Sequence, residues 1–415
     1  MRLDFFQPFA HAAIRPKRSA WPRAAATLAF AAVALGAGAQ SPPGGIAVGS
    51  FKVDPRLDVE RSFTSNVQRA PRGALSDQLT RVMPGVSARS TWTRHELNAS
   101  LDITDETHHR LKGESADTYA LRLDGRIDAG AALAFPLALE RERVATKRGH
   151  PNEAGGRDRH TDTIERLRAG LSWKSVPWRL DLGTQFQDTD AKDVLDLAGR
   201  TINRDDEDRT QRDHSAKLGY QVSQAWSVFG KAVRTRVDYR DPFDDRLVDR
   251  DSIGGALSAG TMVALGPSKL FKLEAGRERR RFNGALGTFS DSTLNVFGMW
   301  GLAPSLVGTA THSRMFQETV LPGSPGMSVR ATMLSLGWTI DPRWRADLSF
   351  TRNEMAPERL PERFRPQTVS LATRYSVNRY VQLRLNAARN TQPADGVLVP
   401  GYRENVVTAG LTLVY

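Results

Sequence analysis

No cysteine occurs anywhere in the 415 residues. That excludes disulfides, thiolate nucleophiles and cysteine-held metals, and it suits a fold stabilised by a closed sheet whose backbone groups pair with one another. Long apolar runs are equally scarce. Hydrophobic residues make up 40% of the chain, yet beyond the N-terminus they never line up over the ~20 positions that a membrane-crossing helix needs. Also missing are a basic helix, an RNP-like aromatic strand and zinc-finger spacing, so the net charge of +12 does not read as a nucleic-acid surface. Arg2, Arg15, Lys17, Arg18 and Arg23 against Asp4 place +4 of that charge in residues 1–39, which leaves +8 in the remainder among mixed signs.

The first 39 residues read as a secretory signal. Arg15, Lys17, Arg18 and Arg23 form a basic region, Ala24 to Leu35 an apolar run too short to span a bilayer, and Ala37-Gly38-Ala39 a small-residue cleavage site. Residues 40–52 are then expected to be a periplasmic segment, and 53–415 a single β-barrel.

What the chain has in abundance is alternation. Tyr415, Leu413, Leu411, Ala409 and Val407 fall on one face of a C-terminal strand, with Val414, Thr412, Gly410, Thr408 and Val406 on the other, small or polar but for the two valines. An aromatic end preceded by alternate apolar residues resembles the closing strand of an outer-membrane barrel, in which Tyr415, Leu413 and Leu411 would serve as the assembly signal. The pattern recurs upstream. Leu97, Ala99, Leu101 and Ile103 alternate with Glu96, Asn98, Ser100 and Asp102, and Trp344, Ala346, Leu348 and Phe350 alternate with Arg345, Asp347 and Ser349.

Eight short turns, such as Ser175-Val176-Pro177, Gly266-Pro267-Ser268 and Asp341-Pro342-Arg343, rotate with nine longer polar stretches, among them 146–160, 190–207 and 318–328. Seventeen connections imply about eighteen strands. Short turns on one side and long loops on the other define an all-β, antiparallel, up-and-down transmembrane barrel. Trp92, Trp173, Trp178, Trp226, Trp300, Trp338 and Trp344 all lie within about four residues of a short turn, as an aromatic girdle on the periplasmic rim would. Three segments break the pattern: Pro84 and Pro136 interrupt their strands, and around Phe229–Val237 the phase slips as though a bulge lay near Gly230.

The polar face carries charge on nearly every strand. Alternation directs Arg122, Arg126, Arg166, Arg168, Arg179, Arg345, Arg374 and Arg384 into the lumen, together with Asp102, Asp124, Asp181 and Asp347. Guanidinium groups bind carboxylates and phosphates bidentately, so these arginines are candidates for the path or docking surface of an acidic polysaccharide. A salt-bridged wall is the alternative. No constellation for catalysis emerges. His214-Ser215 and His312-Ser313 are adjacent pairs whose side chains oppose across a strand, and a catalytic triad needs convergence. His108-His109 and the aspartates 241, 244, 245, 249 and 251 lack metal-ligand spacing. No cofactor is expected.

Ser62-Phe63-Thr64-Ser65-Asn66-Val67, then Ser76-Asp77, then Met83-Pro84-Gly85-Val86, and later Thr201-Ile202-Asn203-Arg204-Asp205-Asp206-Glu207-Asp208-Arg209, carry a resemblance over most of the chain. They resemble the β-barrel porin type 2 family, the exopolysaccharide-operon barrels of the EpsL type, although Ser65 stands where an acidic residue is usual. The resemblance implies the outer membrane of a Gram-negative bacterium and non-catalytic involvement in exopolysaccharide export or assembly. Partners would be outer-membrane lipid, the barrel-assembly machinery, and an acidic polysaccharide with its synthesis proteins. A general anion-diffusion porin and a barrel-borne hydrolase are the alternatives.

Overall fold

The computed structural model describes residues 45–415 apart from 154, 242, 245, 246, 320, 397 and 398. The expected leader, its cleavage site and residues 40–44 lie outside the described residues. The strands are β1 (Ile46–Val48), β2 (Phe51–Thr64), β3 (Asp77–Ser90), β4 (Glu96–His108), β5 (Ala116–Asp128), β6 (Leu133–Ala145) and β7 (Thr161–Ser175). Next come β8 (Trp178–Ala191), β9 (Val194–Leu195), β10 (Thr201–Ile202), β11 (Arg209–Gln221), β12 (Trp226–Tyr239), β13 (Ser252–Ala264) and β14 (Lys269–Phe282). The chain continues through β15 (Thr288–Ala303), β16 (Leu306–Gln317), β17 (Met327–Thr339), β18 (Trp344–Pro357), β19 (Gln367–Ser376), β20 (Val381–Gln392) and β21 (Tyr402–Val414).

β2–β8 and β11–β21 are the eighteen wall strands. Each pairs antiparallel with its neighbours in the chain, β8 with β11 across the loop that carries the β9–β10 hairpin. β21 closes the ring on β2, from Arg56↔Val414 to Thr64↔Val406. Closure leaves no wall strand with a free edge, which is what a sheet in hydrocarbon requires. β1 adds a short pairing to the start of β2, which begins at Phe51.

Which face turns outward follows from register and exposure. Leu123, Leu137, Leu139, Leu167, Leu182, Leu348, Leu371, Leu385 and Leu413 are exposed, and they lie on the face that meets lipid. Arg166, Arg179, Asp58 and Thr412, on the opposite parity, are buried.

One expectation is corrected. β12 runs without a bulge at Gly230: its register with β11 and β13 is continuous through Gly230↔Leu218 and Gly230↔Ala259. The apparent phase slip arises because Phe229 and Val237 face inward and are buried, while Arg234 and Arg236 face outward. The inner face is charged on nearly every strand, with β13, β16 and β17 as the exceptions. β13 offers only small or apolar residues inward, and Phe297 with Met299 buries an apolar patch on β15 against Leu270 and Val307. Pro84 and Pro136 sit in mid-strand without shifting register. Each opens its ladder for two residues, and Gly170 stands opposite Pro136 where a side chain would crowd the ring.

Candidate functional site in the barrel lumen

All eight arginines singled out from the sequence face the lumen, but they form two groups. On β5–β8, Arg122 pairs with Glu140 at 3.2 Å, and Arg166 reaches Glu140 at 3.0 Å, Glu142 at 2.6 Å and Gln187 at 2.7 Å. Arg168 hydrogen-bonds Gln185 at 2.7 Å and lies 3.8 Å from Glu140, while Arg179 pairs with Asp181 at 3.0 Å. Arg126, nearer the short turns, pairs with Asp128 at 3.0 Å. These side chains brace the wall.

The second group differs. Register aligns Arg345 with Arg374 and Arg374 with Arg384, so three guanidinium groups form one rung across β18, β19 and β20. Arg384 is held by Asp58 at 2.8 Å and Glu60 at 3.1 Å, and Arg345 lies 3.5 Å from Asp347. Arg374 has no carboxylate within ion-pair distance among the described residues. The rung continues through Gly410 to Glu60, Arg81 and Glu106, and Arg56 joins Asp58 (3.3 Å) to Asp102. Gly410 and Gly85 make this network possible. A Cβ at Gly410 would come 2.9 Å from Glu60 Cγ, and one at Gly85 would come 2.7 Å from Asp102 Oδ1.

A lysine cluster escaped the sequence reading. Lys217 lies over the Phe229 ring at 4.0 Å, with Lys272 at 5.7 Å, and Glu274 gathers Lys272 (3.4 Å) and Lys231 (4.0 Å). The signal was present in the alternation, but the apparent phase slip around Phe229–Val237 hid it.

The mouth on the long-loop side is crossed by folded loops. Residues 146–160, between β6 and β7, and 318–326, between β16 and β17, arise nearly half the circumference apart, yet Thr319 Oγ1 donates to Asn152 Oδ1 at 2.9 Å. Arg148 anchors the first loop on Glu114 (3.0 Å), Glu153 (2.7 Å) and the Gly156 carbonyl (2.7 Å), and Arg69 donates to the Arg148 carbonyl at 3.3 Å. Arg250 anchors the second by donating to the carbonyls of Thr319 (2.9 Å) and Ser324 (3.2 Å), and Glu318 pairs with Arg280. Met327, Val329, Met355, Phe364 and Val399 form a buried apolar cluster beside it.

Burial and surrounding cations shift the loop's titrating groups. Burial, and then the guanidinium groups of Arg204, Arg148 and Arg159 with neighbouring His150, push His160 down to about 3. Burial and Arg69 push His150 down to about 4, and burial brings Lys147 down to about 7.

The remaining sequence candidates resolve into structure. Asp77 accepts from the amides of Gln78, Arg110 and Leu111 and meets His108 at 3.2 Å, and Asn66 bonds Ala70 and Arg403 backbone atoms. These motif residues are loop clamps. His109 bonds Thr80, His214 bonds Thr184, and His312 bonds Thr332. Asp244 pairs with Arg250 and Asp251 accepts the Tyr239 amide, whereas Asp245 lies outside the described residues. The seven tryptophans are at the short-turn end, each exposed, from Trp173 at 38% to Trp300 at 53%. Tyr415 and Leu413 are exposed at the same end, and Leu411 is half-buried.

The model of the family described as "Putative beta-barrel porin 2" matches residues 41–415. Comparison with curated proteins finds no match. Similar solved structures include the copper transporter OprC (10% identity, 90% of this chain and 81% of that one, TM-score 0.49) and OpdK of Pseudomonas aeruginosa (10%, 88% and 99%, 0.46). The siderophore receptor PiuA of Acinetobacter baumannii is another (10%, 89% and 82%, 0.48).

Proposed function

The chain belongs to the beta-barrel porin 2 family, and we propose that this outer-membrane barrel takes part in exopolysaccharide export or assembly, receiving an acidic polymer in its lumen without acting on it chemically. The observation that carries the reading is the rung Arg345–Arg374–Arg384, in which Arg374 keeps a guanidinium group without a carboxylate partner among the described residues. A uronate-type carboxylate supplies the planar, bidentate acceptor that such a group is shaped for. The loops meeting at Asn152 and Thr319 argue for a regulated passage over free diffusion of small anions. For the hydrolase alternative, His214 and His312 face lipid and bond to threonines, so neither stands with a lumenal serine and an acid.

Single-channel recording of the refolded protein in a planar bilayer tests the proposal, with oligomers of a uronate polysaccharide as the probe. The expected result is an anion-preferring current that the uronate oligomer blocks and that Arg374→Ala makes less sensitive to block. Equal block by a neutral glucan oligomer of the same size, or no current from a folded barrel, would overturn it.

A further inference from the structure

The outer wall carries arginines where a lipid-facing wall would be apolar. On β11–β14 the outward parity, traced by register, runs Arg212↔Arg236, Arg234↔Gly255↔Arg279 and Leu257↔Arg277, with Arg281 opposite Ile253. All six arginines are exposed. The only outward carboxylate on these four strands is that of Asp238, 2.7 Å from Arg236 and 3.8 Å from Arg212. Arg277 donates to Ser290 at 3.0 Å, and Arg234, Arg279 and Arg281 have no acidic partner among the described residues. Two other outward arginines behave differently: Arg141 is paired with Glu165 at 3.2 Å and Arg330 lies 3.8 Å from Glu354. Arg61, Arg352, Arg389 and Arg403, on the other side, each stand directly opposite uncharged residues across their ladders.

Height identifies the zone. Arg234 and Arg236 stand eight and ten residues along β12 from Trp226, and Arg277 and Arg279 stand as far along β14 from Lys269, which lies over the Trp300 ring. At ~3.3 Å per residue and a tilt of about 40°, that is roughly 20–25 Å, the far edge of the ~25 Å apolar band. The arginines therefore lie at the headgroup level of the outer leaflet.

Between them is a groove of about 850 Å³ lined by Arg234, Gly255, Leu257, Arg277, Arg279 and Ser290 among others. Its floor is strand backbone and apolar side chain. No side chain fits at Gly255, where a Cβ would lie 2.4 Å from the Val233 carbonyl oxygen, and Leu257 is 71% exposed beside it. Cations along the rim with an apolar floor beneath match a phosphorylated amphiphile and match neither a free anion nor a neutral lipid.

We infer that β11–β14 form a docking site for lipid A, the bis-phosphorylated, polyacylated glycolipid anchor of lipopolysaccharide, with its phosphates on Arg234, Arg279 and Arg281 and an acyl chain along the Gly255–Leu257 groove.

The test uses the full-length barrel in nanodiscs of zwitterionic lipid, with bis-phosphorylated lipid A as the probe. Its thermal midpoint is followed by the heat-dependent change in gel mobility. Lipid A is expected to raise the midpoint by several degrees in wild type and in the control Arg141→Ala/Arg330→Ala. The rise should vanish in Arg234→Ala/Arg279→Ala/Arg281→Ala, and should shrink with mono-phosphorylated lipid A. An equal rise in the triple variant, or one reproduced by phosphatidylglycerol or inorganic phosphate, would overturn the inference. Should the triple variant fail to fold, native mass spectrometry of Arg279→Ala alone decides: retention of lipid A at the wild-type level overturns the site, and reduced retention supports it.

Discussion

At the scale of single residues, glycine explains more of the lumen than arginine does. The ion pair between Arg56 and Asp102 crosses directly over Gly85, whose missing Cβ would fall 2.7 Å from Asp102 Oδ1 and 3.1 Å from Arg56 Nε. Gly85 has an ordinary extended backbone, so the demand here is space, not conformation. Gly85→Val is expected to destabilise the barrel by about 1–3 kcal/mol, the usual cost of overpacking a fitted site. The thermal midpoint of the gel-mobility change should fall, and fall less for Gly85→Ala. Adding Arg56→Ala to Gly85→Val should recover part of the loss by emptying the space. An unchanged midpoint in Gly85→Val would show that the pair can be rerouted at no cost. The Pro84-Gly85 step is a visible sequence landmark, but its reason is tertiary, because Asp102 lies on the next strand.

At the scale of elements, strands were legible and loops were not. Alternation and turn chemistry sufficed to place the eighteen wall strands, since each wall residue has only two directions to face. The same rule failed on β12 in one respect: Phe229, near the short-turn end, and Val237, near the long-loop end, pack inward while Arg234 and Arg236 face outward, so polarity inverts along a single strand. That inversion concealed both the lysine cluster and the outward arginines. The folding of residues 146–160 across the mouth depends on Arg148, Glu114 and Thr319, contacts distant in sequence that no periodicity announces.

This loop should respond to acid. His160, 2% exposed, has its Nε2 buried without a hydrogen-bond partner among the described residues and stands among Arg148, Arg159, Arg204 and His150. Both histidines are held below the ordinary value of 6.5, at about 3 and about 4, so the folded loop favours their neutral forms. The stabilisation is complete above pH 6.5 and declines as pH falls toward 4, because the unfolded loop binds protons that the folded loop refuses. Protease cleavage within 146–160 is expected to rise over that range. His150→Gln/His160→Gln should hold the loop protected to lower pH. An identical acid profile in that variant would assign the effect to carboxylates.

At the scale of the whole molecule, the lumen has two unlike sides. One, from β18 through β21 to β8, is a network of arginines and carboxylates; the other, from β11 to β17, combines lysines with buried Phe297, Met299, Met327 and Val329. An eighteen-strand barrel is wide enough for an aqueous path between them, and the question is which side the ions feel. Arg374→Glu answers it, because it changes the rung by two charges. For an ion passing ~10 Å away in a water-like dielectric, each charge is worth about 0.4 kcal/mol. The pair of changes then amounts to about 0.8 kcal/mol for each ion, with opposite sign for anion and cation, or roughly a fifteen-fold shift of the anion-to-cation permeability ratio toward cations. Screening limits the effect to dilute salt, since the Debye length falls from about 10 Å at 0.1 M to about 3 Å at 1 M. Reversal potentials measured across a salt gradient below 0.1 M should show the shift, and those near 1 M should not. A ratio unchanged in dilute salt would mean that current passes along the lysine side, with Glu274 and Lys217 as the positions to reverse next.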